Sequence, residues 1–199
     1  MKNIFIIVAL ACLSYGYAQD CSEMASKEAQ DKLNKEYADP KTTPLTKADQ
    51  KTFKSLDFYP VDLQYCVTAK FKRTPDEKPF YMATTTGRKA RYVKYGEVSF
   101  TIAGKQHKLD IFQSPDLSRL EEYKDYLFLP FRDDTNGEGS YEGGRYVDLK
   151  IPVGDTIQID FNKAYNPYCA YNHDYSCPIP PSQNSLDAVI KAGVKEYMK

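Results

Sequence analysis

Short runs of alternating apolar and polar residues dominate the chain from Gln64 onward. Successive side chains of a strand point to opposite faces, so this alternation predicts half-buried β-strands. Turn residues such as glycine and asparagine separate the runs closely, which favours antiparallel neighbours. Eight short strands are predicted, within residues 64–71, 80–86, 90–95, 98–102, 109–111, 126–130, 147–151 and 157–161.

Helical patterns flank this β-rich region. Good helix formers fill residues 22–37, with Ser22 as a candidate N-cap. A second short helix is predicted from Thr46, and a C-terminal helix from Asn184 to a stop at Gly193. The predicted fold class is therefore α+β: predominantly antiparallel strands in a barrel or a sandwich, with N-terminal helices and a short C-terminal helix.

The N-terminus has the pattern of a secretory signal peptide. A positively charged start is followed by an apolar run, residues 4–13, and by small residues up to Ala18. The run is shorter than the roughly 20 apolar residues that a bilayer requires. We therefore expect a signal peptide over residues 1–18, cleaved near Ala18, and one exported domain, periplasmic or secreted, over residues 19–199. A lipoprotein anchored at Cys12 is the alternative.

The charge balance excludes some partners. The chain has 27 basic and 27 acidic residues, which gives no electrostatic footprint for nucleic acid or for an anionic membrane. It carries no dinucleotide-binding glycine fingerprint, P-loop or zinc-protease motif. We predict no cofactor, no nucleic acid, and no membrane contact beyond the signal peptide. The sequence indicates no oligomeric state.

Two acidic residues stand out in the last two predicted strands. If the turn between them centres on Gly154, the apolar residues share one face and Asp148 lies opposite Asp160. Like charges at that separation are unfavourable. A neighbouring Lys150 or Arg145 can neutralise the pair, or a cation can bind there. The two carboxyls can also share a proton, as acid/base pairs do.

The loop that follows, "DFNKAYNPYCAYNHDYSCPIPPSQN" over residues 160–184, is rich in tyrosine, asparagine and cysteine. Tyrosine rings pack well across a sheet while their hydroxyls stay hydrogen-bonded, and asparagines stabilise tight turns. The same side chains also suit a small polar ligand, such as a sugar. Both interpretations stay open.

Four cysteines remain after the signal peptide. Cys169 and Cys177 are close in sequence, so a disulfide between them is favoured in an exported protein. A zinc site or a catalytic cysteine that includes His173 is an alternative. We predict no metal, because this cluster offers only three ligands. Whether Cys21 pairs with Cys66 is open.

Charged and glycine residues crowd residues 130–148, "PFRDDTNGEGSYEGGRYVD". The spacing does not fit an EF-hand loop, although a looser oxygen-lined cation site stays open. Arg145 has the parity of the apolar residues of its strand. A buried arginine needs a partner, so pairing with a carboxylate is favoured.

The motifs "LFLPFRDDTNGEGSYEGGRYVDL" and "DFNKAYNPYCAYNHDYSCPIPPSQNSLDAVIKAG" closely resemble the signature of the bacterial family called domain of unknown function 1684. The upstream segment "PLTKADQKTFKSLDFYPVD" also fits. The resemblance covers roughly residues 28–197. It implies no established activity, so no residue roles follow from it. His173 falls where the family pattern does not require histidine, which weakens the zinc and catalytic-cysteine alternatives.

The sequence therefore favours a binding or structural module with a polar, tyrosine-rich site formed by residues 130–148 and 160–184. A small polar ligand is the partner that such a site would suit, and the sequence does not identify it. One alternative is a hydrolase-like enzyme with Asp148 and Asp160 as catalytic residues. Another is a thiol redox or metal site at Cys169 and Cys177. The candidate binding residues are Arg132, Asp133, Tyr141, Arg145, Asn162, Tyr165, Asn166 and Tyr171.

Overall fold

The computed structural model describes residues 21–197, so the predicted signal peptide and Cys12 lie outside the described residues. Helix α1 (Glu23–Ala38) precedes the strands, as the sequence predicts. The Ser22 side chain accepts a hydrogen bond from the backbone N–H of Ala25 at 3.1 Å, which satisfies one of the free donors of the first turn. Residues 21–197 contain no helix long and apolar enough to cross a membrane.

Seven strands form one antiparallel sheet that curls into a half-barrel, which confirms the predicted α+β class. The strands are β1 (Cys66–Arg73), β2 (Phe80–Met82), β3 (Ala90–Ile102), β4 (Lys105–Gln113), β5 (Tyr126–Phe131), β6 (Arg145–Lys150) and β7 (Thr156–Asp160). Their order across the sheet is β6-β5-β4-β3-β1-β7, and β2 pairs with β3.

Strand β3 accounts for the difference between eight predicted strands and seven observed ones. Residues 90–95 and 98–102 belong to one strand, with an irregularity in its register between Lys94 and Gly96. A Cβ at Gly96 would lie 2.5 Å from the Phe71 ring and 2.7 Å from the Lys72 carbonyl oxygen. Glycine therefore permits this close approach of β1 and β3.

The predicted β6–β7 hairpin is wrong. Strand β6 pairs with β5, where Asp148 lies opposite Phe128, and β7 pairs with β1, where Asp160 lies opposite Cys66. The two strands lie at opposite ends of the strand order. Alternation fixes which face of a strand is buried, but it does not fix which strand lies beside it.

The main hydrophobic core lies on one face of the sheet. The residues that the alternation predicts to be buried point into it. Val147 and Leu149 of β6 and Ile157 and Ile159 of β7 are all buried in it. A second cluster joins α1 to the loop after β7 through Tyr37 and several other aromatic residues. A third, smaller cluster lies on the other face of the sheet and contains Met82, Phe112, Phe128 and Tyr146.

The predicted C-terminal helix is also wrong. After a short 3-10 turn, Ser182–Asn184, the chain is irregular. The backbone N–H of Leu186 donates to the Arg132 carbonyl at 2.8 Å, and that of Val194 donates to the Ala164 carbonyl at 2.9 Å. These tertiary hydrogen bonds replace the bonds that a helix would supply. The second predicted N-terminal helix is reduced to a 3-10 turn, Asp49–Lys51.

The structure also corrects the cysteine pairing. Cys21 and Cys66 form a disulfide, which ties the start of α1 to β1. Cys169 and Cys177 are buried free thiols, so the disulfide predicted between them is not formed in this structure. The backbone N–H of Cys169 instead donates to the Cys177 Sγ at 3.1 Å.

Candidate functional site

A cavity of about 530 Å³ lies between α1, the outer face of β5 and β6, and the loop after β7. We call it the tyrosine cavity, because six tyrosines line it. Its lining residues are Ala29, Lys32, Leu33, Glu36, Tyr92, Leu117, Tyr126, Phe128, Tyr146, Asp148, Lys163, Tyr165, Pro167, Tyr168, Tyr175, Ser176, Cys177 and Pro178. The two sequence motifs therefore meet at one cavity. The first contributes Tyr146 and Asp148 near its end, and the second contributes eight residues between Lys163 and Pro178.

Asp148 is the main polar group on the floor of the cavity. Its Oδ1 accepts hydrogen bonds from the Tyr126 hydroxyl at 2.8 Å and from the Tyr165 hydroxyl at 2.7 Å. Tyr126 reaches it from the neighbouring strand, because β5 and β6 are paired side by side. Tyr165 is held by two backbone hydrogen bonds with Tyr146, of 2.9 and 3.0 Å.

The surroundings of Asp148 shift its ionisation. Its carboxylate is open to water within the cavity, but the cavity walls enclose it on most sides. This burial raises the pKa of Asp148, and the hydroxyl donors Tyr165 and Tyr126 oppose the shift. Burial, together with the negative charge of Asp148, also raises the pKa of both tyrosines, so both stay protonated donors at neutral pH.

Asp160 belongs to a different network. Its Oδ2 accepts from the Ser26 hydroxyl at 2.7 Å and lies 3.4 Å from the Lys163 Nζ. Its Oδ1 accepts from the backbone N–H of Asn162 at 3.0 Å. Asp148 and Asp160 thus have different hydrogen-bond partners and lie on unpaired strands. The predicted acid pair is wrong, because it depended on the β6–β7 register.

Arg145 is fully buried and paired with Asp133. Its Nη2 donates to the Asp133 Oδ2 at 2.6 Å, and both side chains are 0% exposed. The same nitrogen donates to the Ile190 carbonyl at 2.9 Å, and Nη1 donates to the Ala192 carbonyl. Gly144 just before it has a φ of +93°, and a Cβ there would lie 2.7 Å from the Phe131 carbonyl oxygen. This arrangement makes Arg145 and Asp133 structural in the folded chain.

The acidic loop around Asp133 satisfies its own polar groups. Asp133 Oδ1 accepts from the Thr135 hydroxyl at 2.6 Å, and that hydroxyl lies 2.7 Å from the Ser140 hydroxyl. The Asn136 amide donates to the same Ser140 oxygen at 3.0 Å. These oxygens are engaged by protein donors rather than gathered around an open cation position.

Most of the other predicted binding residues lie away from the cavity. Asn162 is buried and bonds the Asp62 backbone through both amide atoms, at 2.9 and 3.0 Å. Asn166 donates to the Lys195 carbonyl at 2.8 Å and to the Tyr171 hydroxyl at 3.3 Å. Tyr171 is fully buried, and its ring centroid lies 4.9 Å from that of Tyr37.

Arg132 and Tyr141 complete this set. Arg132 has an exposed side chain, and its backbone pairs with the segment after Pro181. The Tyr141 hydroxyl lies 3.9 Å from the Cys169 Sγ. Of the ten predicted catalytic and binding residues, the structure brings Asp148 and Tyr165 together in the tyrosine cavity.

Sequence reasoning missed Glu36, Tyr92 and Tyr126. The Tyr168 hydroxyl donates to the Glu36 Oε1 at 3.2 Å. Ala29, Lys32, Leu33 and Glu36 recur at three- and four-residue spacing, which places them on one stripe of α1. That spacing is visible in the sequence, but it does not show which surface the stripe covers. Among residues 21–197, no three His, Cys, Asp or Glu side chains cluster as metal ligands would.

We expect Arg145→Met to destabilise the protein strongly, because it leaves the buried Asp133 carboxylate unpaired. Breaking a buried ion pair from one side costs roughly 3–5 kcal/mol. Urea unfolding followed by circular dichroism measures the loss. Arg132→Met is the matched control, since an exposed side chain should change stability by about 0.5 kcal/mol or less. Equal losses in the two variants would show that the buried pair is not structural.

We expect Asp148→Asn to raise the melting temperature at pH 7. A carboxyl whose folded-state pKa is raised stabilises the fold at low pH and loses that contribution as pH rises through its folded pKa. The gain over wild type should therefore shrink as pH falls through the raised pKa, and it should be lost below 3.8, the ordinary value for this group. Thermal scans across pH measure it, with Asp155→Asn in the exposed turn as control. A variant less stable than wild type at pH 7 would contradict the raised pKa.

The comparisons with known proteins agree with this architecture. A solved structure, the solution NMR structure of the uncharacterized protein from gene locus rrnAC0354 of Haloarcula marismortui, superposes with a TM-score of 0.68. It is 32% identical, and the match covers 87% of this chain and 93% of that chain. No curated protein matches. Residues 51–195 match the family described as protein of unknown function, DUF1684, and the chain therefore belongs to that family.

Proposed function

We propose that the protein is a binding module that holds a small polar organic molecule in the tyrosine cavity. The observation that carries the proposal is Asp148. Two tyrosine hydroxyls hold its Oδ1, whereas the described residues give its Oδ2 no hydrogen bond. An oriented carboxylate with a free oxygen, enclosed by aromatic walls, suits the recognition of a ligand polar group.

The dimensions of the cavity support the same proposal. Ligand sites commonly have volumes of roughly 300–1,000 Å³ and combine apolar walls with a few placed polar groups. The tyrosine cavity has about 530 Å³, with Leu33, Leu117 and Phe128 among the tyrosines. The raised pKa of Asp148 adds to this argument, because shifted pKa values concentrate at functional sites.

We also propose that the protein works outside the cytoplasm. The signal-peptide pattern of residues 1–18 supports export. The Cys21–Cys66 disulfide supports it independently, since disulfides persist in oxidising compartments. This disulfide ties down α1, which forms one wall of the cavity.

A ligand screen by NMR on the purified chain tests the binding proposal. We expect hits to shift the backbone resonances of Tyr146 and Tyr165. Ala29→Trp should fill the cavity from α1 and weaken binding at least about tenfold, or about 1.4 kcal/mol. Met24→Trp, on the exposed face of the same helix, should leave affinity unchanged. Unaltered binding to Ala29→Trp would place the ligand elsewhere and contradict the proposal.

A second candidate function is thiol–disulfide exchange at Cys169 and Cys177. The backbone of Cys169 lies against the Cys177 sulfur, and Cys177 lines the tyrosine cavity. A hydrogen bond with the Cys177 thiol, supported by Tyr141, lowers the pKa of Cys169 to about 6 against the effect of burial. A thiolate is the attacking species in such exchange. The metal alternative has no such support, because no three His, Cys, Asp or Glu side chains among residues 21–197 cluster as ligands.

Glutathione disulfide tests this second function. The Cys169 thiolate would attack it and release one glutathione thiol. Cys177 would then displace the second, leaving a Cys169–Cys177 bond and two reduced glutathiones. In the chain without residues 1–18, and therefore without Cys12, we expect two reactive thiols after denaturation. After treatment of the folded chain, we expect no reactive thiol and no attached glutathione. In Cys177→Ser the remaining thiol should stop at the mixed disulfide. Two thiols that survive treatment of the native protein would exclude the exchange.

A further inference from the structure

We infer that the ligand of the tyrosine cavity is a small organic cation with an ammonium group. This inference rests on the proposed binding function and concerns the charge of the ligand. It follows from three features of the cavity: its carboxylates without ion-pair partners, its tyrosine hydroxyls that already donate to the protein, and its aromatic walls.

The two carboxylates of the cavity have no ion-pair partner in the part of the chain that the structure describes. Asp148 on β6 and Glu36 on α1 both line it. Their hydrogen bonds come from tyrosine hydroxyls, and neither carboxylate has an ion-pair partner among residues 21–197. A carboxylate without a counter-charge in a cavity that excludes part of the water attracts a cation more strongly than one in open water does. A cationic ligand would supply the missing charge.

The positive charges of the cavity do not offset this pair. Lys163 lies 3.4 Å from the buried Asp160 carboxylate, so its charge is already balanced within the protein. Lys32 is the other lining lysine, and it is exposed on α1. Among the lining residues, two unpaired carboxylates stand against one unpaired ammonium, and the Arg88 guanidinium, outside the lining, donates to the Ser176 carbonyl at 3.1 Å.

Four of the six tyrosine hydroxyls in the cavity already donate their protons to the protein. Tyr126 and Tyr165 donate to Asp148, Tyr168 donates to Glu36, and Tyr146 donates to the Pro178 carbonyl. A hydroxyl that has donated its one proton can only accept from a ligand. These groups therefore offer acceptors rather than donors, which suits an ammonium and disfavours a carboxylate or phosphate.

The aromatic walls add a third contribution. The Tyr92 ring is stacked on Phe128, with centroids 5.4 Å apart, and Tyr146 meets the same ring edge-on at 4.7 Å. Tyr168 and Tyr175 form a further edge-on pair on the loop side, at 5.2 Å. Ring faces attract cations, and the attraction is larger where water is partly excluded. The packed rings need little reordering to bind.

Three probes with one carbon skeleton test the charge: benzylammonium, benzyl alcohol and benzoate. NMR titration of the purified chain near pH 7 gives the three affinities. We expect benzylammonium to bind about tenfold or more tightly than benzyl alcohol, and benzoate to bind most weakly. Asp148→Asn should bring the cation and the alcohol to within about twofold of each other, where tenfold is about 1.4 kcal/mol. Asp155→Asn, in the exposed turn before β7, should leave the ratio unchanged.

The outcomes separate the two proposals. If benzyl alcohol or benzoate binds in the cavity as tightly as benzylammonium, the charge inference fails and the binding function stands. The same holds if none of the three binds while a neutral or anionic compound from the screen does. If no compound binds in the cavity, the binding function itself fails. A cation preference that persists in Asp148→Asn and in Glu36→Gln would also overturn the inference, because the charge would then lie elsewhere.

Discussion

The buried ion pair between Arg145 and Asp133 holds three parts of the chain in one place. Arg145 starts β6, Asp133 belongs to the loop before it, and the guanidinium also binds the carbonyls of Ile190 and Ala192 in the irregular C-terminal segment. A charge in this core is tolerable only because carboxylate and carbonyl oxygens surround it. The C-terminal segment has little regular structure, so these contacts fix its path. The start of β6 also fixes the strand that carries Asp148 into the tyrosine cavity.

The two sequence motifs consequently have different roles. The first, around residues 130–145, is mainly a scaffold whose polar groups bond one another. The second supplies much of the cavity wall through residues 163–178, and its asparagines fasten it to the neighbouring backbone. The two motifs meet in the cavity, where the Tyr165 hydroxyl of the second donates to Asp148 at the end of the first. The tyrosines thus serve both packing and site, since their rings fill space while their hydroxyls orient a carboxylate.

The sequence predicts what is local and misses what depends on tertiary pairing. Period-two alternation identified the buried face of β6, because burial follows strand geometry directly. It cannot identify the neighbour of β6, so it predicts Asp148 opposite Asp160 rather than beside Tyr126. The C-terminal helix failed for a related reason, since tertiary hydrogen bonds outweighed helix propensity. The sequence does not point to Glu36, because the sequence of a helix does not show which part of the protein will pack against it. Cysteine proximity in sequence likewise did not predict pairing in space.

The proposed site depends on Asp148, a cavity carboxylate that the Tyr126 and Tyr165 hydroxyls orient. An NMR titration of the Asp148 side-chain carboxyl carbon tests it most directly, because it observes that group alone. We expect a pKa above the ordinary 3.8, raised further in Tyr126→Phe and Tyr165→Phe, since each hydroxyl donor favours the ionised form. A pKa at or below 3.8, unmoved by either substitution, would contradict both the geometry of the site and the function proposed for it.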